Sequence, residues 1–101
     1  MSRQKQLESA AELVGNAAAH IVLYKDQTGI RETLEYMGQA QVRIAAKNWN
    51  DKEMVKFREL AQRRAEQEIK ERTGKSRGKK HDQAVTEATS LIEQFIEQRM
   101  Q

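Results

Sequence analysis

The chain has 101 residues, 18 basic and 15 acidic, a net charge of +3, and neither proline nor cysteine. Its length allows one domain, spanning residues 1–101. Without cysteine there is no disulfide framework and no zinc-finger pattern, and a reducing cytoplasm is the default compartment. No apolar run approaches the roughly 20 residues that cross a bilayer, and the polar stretch Met1 to Glu12 has no signal-peptide character, so no membrane association is expected.

Leu, Ile, Val and Phe together supply 19 residues, and 12 alanines add small apolar surface. Near-balanced charge argues for folding despite that modest supply. A thin core gains burial by oligomerising, so a homodimer or larger homo-oligomer is expected.

Four helical segments are predicted. The first runs from about Arg3 to Tyr24. Leu7, Ala10, Ala11, Val14, Ala17, Ala18 and Ile21 keep a 3.6-residue period and make one face, widened by Leu13, His20 and Leu23. The alanines let a neighbouring helix approach closely, whereas Gly15 weakens the helix by about 1 kcal/mol relative to alanine. Lys25 to Gly29 reads as a turn, with Thr28 placed to cap the next helix. That second segment runs from about Gly29 to Lys47, lined by Ile30, Leu34, Met37 and Ile44, with Gly38 at a close crossing.

Asn48 to Asp51 is the second break. Asn50 with Glu53 three residues on makes a capping box, and Trp49 and Met54 stand where a hydrophobic staple would. The third segment runs from about Asp51 to Thr73. Met54, Val55, Phe57, Leu60 and Ala61 give its first half an apolar side. Its second half has only Ala65 and Ile69 among charges that fall into opposite pairs four apart, such as Arg64 with Glu68. A solvated face is the plain reading of that half. The sharper one gathers Arg63, Arg64, Lys70 and Arg72 into an anion-binding surface, against which the interleaved Glu66, Glu68 and Glu71 argue.

The third break is Gly74-Lys75-Ser76-Arg77-Gly78-Lys79-Lys80-His81, with four basic residues besides histidine and no acid. Asp82 is the expected N-cap of a fourth helix reaching Arg99. Its apolar side is Ala84, Val85, Ala88, Leu91, Ile92, Phe95 and Ile96. Segments of this length with short connections predict an all-α up-down four-helix bundle, or helical hairpins completed by dimerisation.

Trp49 with Phe57 eight residues later resembles the turn of the secreted Trp-x-Gly helical-hairpin proteins, over Trp49 to Phe57 only. Asp51 stands at that family's glycine position, and Lys25 to Gly29 would break its first long helix, so the resemblance is not adopted.

Chemistry is sparse. His20 and His81 are the only histidines, and neither follows a Glu-x-x pattern, so the di-iron bundle signature is missing. Asn16, His20 and Tyr24 are one turn apart and could form a polar line. Gly74-Lys75-Ser76 ends like a P-loop, but position 69 is Ile69 where that motif needs glycine. Arg77 and His81 are too close for a helical ribonuclease pair. No catalytic residue, metal ligand or cofactor is nominated, so an enzyme is the remotest class. The basic segment suits phosphate: Gly74 and Gly78 let the backbone bend, while Lys75, Arg77, Lys79 and Lys80 supply charge. No aromatic residue accompanies them, so base stacking is not indicated. The expectation is a helical binding module that contacts nucleic-acid backbone through these four residues, within a larger complex. The alternative is a protein-interaction bundle, an adaptor with no nucleic-acid role, in which the basic segment only aids solubility.

Overall fold

The computed structural model describes residues 3–24, 49–74 and 78–99. Within them the chain is all helical, with no strand: α1 (Arg3–Leu23), α2 (Asp51–Thr73) and α3 (Lys79–Arg99). The expected helix over 29–47 lies outside the described residues.

Each of these helices is where its sequence pattern puts it, with one displaced boundary. In α1 all seven residues of the expected face are buried, and Ala19 and Val22 join them. The α2 start is fixed by the capping box. Asn50 Oδ1 accepts from the Glu53 amide at 2.9 Å, and the Asn50 amide donates to Glu53 Oε1 at 3.1 Å. Two otherwise orphaned donors are thereby satisfied. Trp49 and Met54 are both buried beside this cap, and the Trp49 ring stands 5.2 Å from that of Phe57. The helix ends at Gly74, whose φ of 71° glycine adopts without strain and whose amide bonds Lys70 O at 2.8 Å.

The α3 start differs from expectation. Asp82 is not the cap: its amide already makes a helical bond to Gly78 O at 2.9 Å, and α3 begins three residues earlier, at Lys79. Gly78, with φ of 121°, carries the bend, and lysine is a good helix former, so the first turn extends back to it. The third break is therefore residues 74–78. On α3, Ala88, Ile92 and Ile96 are buried, and Ala84, Val85 and Leu91 are partly so.

α1 and α2 run parallel, in a register offset of 48 residues. Arg64 of α2 bonds Asn16 of α1, and two turns on Arg72 bonds Tyr24. Gly15 makes the approach possible. A Cβ there would meet Ala61 O at 2.6 Å and Arg64 Cβ at 2.8 Å. The residue that weakens α1 as a helix is the one that lets it lie on the α2 backbone. α3 returns antiparallel to α2 after the short link, with an Arg58–Glu93 ion pair at 2.7 Å between them, although Arg58 Nε makes no aligned hydrogen bond.

The core between the helices is shallow. Among the described residues the largest fully buried side chains are Phe57, Ile69, Ile92 and Val14, each worth about 1.5–3 kcal/mol of burial. Eight of the eighteen buried apolar residues described are alanines, which contribute far less. Ala65 and Ile69 are buried too, so the charged second half of α2 packs on the body of the protein along one side.

Candidate nucleic-acid interface

The described part of the basic segment, Gly74 and residues 78–81, lies where α2 stops and α3 starts. Lys79 and Lys80 occupy the first turn of α3 and are exposed. Neither meets a carboxylate among the described residues. Their backbone amides belong to the helix N-terminus, where unpaired N–H groups and the macrodipole present positive charge. Asp82 in the same turn offsets part of that field. Gly74 and Gly78 flank the link as exposed positive-φ residues, and a Cβ at either would meet nothing within 4 Å. Lys75 and Arg77 lie outside the described residues, so half of the expected cationic set is located.

His81 is not in a loop. It is the third residue of α3 and is 5% exposed. Its Nδ1 has no hydrogen-bond partner among the described residues. Positions 81, 85, 88, 92 and 96 continue one helical stripe, so His81 extends the apolar side of α3 by a turn. That spacing was present in the sequence, hidden by the run of basic residues before it.

The four cations in the second half of α2 divide into two pairs. Arg63 and Lys70 are exposed. Arg64, half-buried, and Arg72, still exposed, turn onto α1, where they build a polar seam around Glu68, whose side chain is only 12% exposed. Arg72 Nε donates to Glu68 Oε1 at 3.0 Å, and Arg64 Nη2 stands 3.5 Å from Glu68 Oε2. Arg64 Nε also donates to Asn16 Oδ1 at 2.9 Å, and Arg72 Nη1 donates to the Tyr24 hydroxyl at 3.0 Å. The polar line expected along α1 is thus drawn into the helix contact. The Tyr24 hydrogen bond, above all, holds Arg72 more firmly protonated than usual. The His20 ring lies 5.6 Å from that of Tyr24. Burial, and then the Arg72 charge, lower the His20 pKa from 6.5, while Glu68 opposes the shift. Both sides of this seam could be read from the sequence as charged or polar, but not that they face each other.

Among the described residues no three metal-ligating side chains converge, and no helix is long and apolar enough to cross a membrane. The chain matches no protein-family model, no curated protein and no solved structure.

Proposed function

We propose that this chain is a small helical module that binds nucleic-acid backbone through Lys75, Arg77, Lys79 and Lys80 at the α2–α3 junction, as part of a homo-oligomer or larger complex. The observation that carries the reading is the exposed pair Lys79 and Lys80 at the α3 N-terminus, which forms no ion pair among the described residues. Lys75 and Arg77 belong to the same short link, so chain connectivity keeps all four charges within a few residues of one another. Phosphates are recognised by clustered cations and free amides without regard to base identity.

The reading has a quantitative test. Each phosphate neutralised contributes about −0.9 to the slope of log K against log salt on duplex DNA, and about −0.7 on single strands. Four contacts per subunit give roughly −3 to −4. Replacing Lys75, Arg77, Lys79 and Lys80 together by Ser should flatten that slope while the far-ultraviolet circular dichroism stays unchanged. Equal binding of DNA and RNA by the two proteins, or no binding by the wild type at low salt, refutes the reading. The second result leaves the adaptor alternative.

The same proposal includes a fourth helix over 29–47. Parallel α1 and α2 require the chain to travel back along the length of α1, and about 19 helical residues cover about 28 Å, close to what the return needs. The up-down four-helix bundle is the arrangement that results.

A further inference from the structure

Where the N-terminal halves of α1 and α2 lie side by side, a groove of about 410 Å³ opens between them, with Leu7 and Leu60 on its floor. The walls carry opposite charge. The α1 wall has Glu8, and one turn on Glu12; the α2 wall has Lys52 and Lys56, and further on Arg63. Glu53 is held in the α2 cap, and Arg64, within 3.8 Å of Glu12, closes the far end.

We propose that a second copy of this chain docks on this groove, two-fold symmetrically, with the axis running along the helices. It stands independently of the nucleic-acid reading, because it uses none of the residues of the basic segment.

The register selects the partner and the axis. With an offset of 48, Lys56 is level with Glu8, and Arg63 is within one turn of Glu12. A two-fold axis parallel to the groove carries the α1 wall of one copy onto the α2 wall of the other at the same height. Glu8 then faces Lys56 of the partner subunit, and Glu12 approaches Arg63 of the partner subunit, each contact occurring twice. The leucine floors are brought together near the axis. A two-fold axis across the groove would set acid on acid and base on base. Like charges held together are a penalty that binding surfaces avoid. Charge self-complementarity therefore singles out one arrangement.

The described core supplies a reason for association: eight of its eighteen buried apolar residues are alanines, so the described helices cover modest apolar surface by themselves. The face is modest. Two helices about 20 Å across together, over about 20 Å of length, give roughly 400 Å² per copy before side-chain relief, against about 800 Å² for a standard interface. A weak dimer is expected, formed between micromolar and millimolar concentration and loosened by salt.

Charge reversal tests the pairing. Glu8→Lys and Lys56→Glu are changes at exposed groove walls, so each protein should keep its helical content. Each should raise the dimer dissociation constant by about tenfold, because both symmetric contacts become repulsive. Mixing the two variants should restore association to near the wild-type value. In the mixed dimer, both contacts between positions 8 and 56 again join one acid to one base. Sedimentation equilibrium of wild type, each variant and the equimolar mixture reads all of this. Recovery in the mixture supports the proposal. A wild type that is monomeric up to millimolar concentration overturns it, as does a dimer that both variants leave unchanged, or a mixture no tighter than its components.

Discussion

Gly15→Ala separates two effects of opposite sign. By helix propensity alone, alanine should stabilise α1 by about 1 kcal/mol. In the folded protein the new methyl would stand 2.6 Å from Ala61 O, 2.8 Å from Arg64 Cβ and 3.1 Å from the Ala65 amide nitrogen. Ordinary contact begins near 3.4 Å, so α1 must back away from α2 by about 0.8 Å at this point. The obstacle includes backbone, which no rotamer change can clear. Separation would also stretch the adjacent 2.9 Å bond between Arg64 and Asn16. Overpacking of this kind costs about 1–3 kcal/mol, enough to cancel the propensity gain and leave a net loss of about 1 kcal/mol. For a domain this size the midpoint should fall by about 4–8 °C. Thermal and urea unfolding followed by circular dichroism would measure it, with Ser9→Ala on the exposed side of α1 as the propensity control. A Gly15→Ala protein more stable than wild type would refute the close crossing, and with it the parallel packing built on Gly15.

Two further outcomes are expected. Asn50→Ala removes the acceptor for the Glu53 amide and should cost about 1 kcal/mol in urea unfolding, whereas Asn50→Asp should retain most of it. His20 has a folded pKa below its unfolded 6.5, so the unfolded chain binds the proton more readily; its contribution is present above pH 6.5 and is lost as pH falls towards the lower folded value. Unfolding at about pH 7.5 and about pH 5 should show a loss of stability on acidification that is smaller in His20→Gln, and an equal loss in both proteins would remove His20 from the effect.

Some of this was legible in the sequence because the physics was local. Leu7 through Ile21 announce their shared face by period, and Asn50 with Glu53 announce a helix start by hydrogen-bond geometry. The remainder depended on which surfaces meet. Gly15 reads as a defect when α1 is considered alone and as a fitting surface once α2 lies on it. Arg64 and Arg72 resemble Arg63 and Lys70 in a charge count, yet one pair is engaged by Glu68 and the other faces water. His81 and the first turn of α3 were obscured because four basic residues suggested a loop, although nothing in lysine opposes a helix. Lys79 and Lys80 remain exposed in either description, which is why the candidate interface survives the shift in boundary.

The parallel register also governs how the molecule assembles. α2 and α3 are joined by the five residues 74–78, whereas the 27 residues 24–50 separate α1 from α2. The entropic cost of closing the longer link exceeds that of the shorter by about 1.5 kcal/mol. The α2–α3 hairpin is therefore expected to form first, with α1 docking on it afterwards. Until it does, the α2 surface at Ala61, Arg64 and Ala65 stands uncovered, and Gly15 is the residue that lets α1 lie against it.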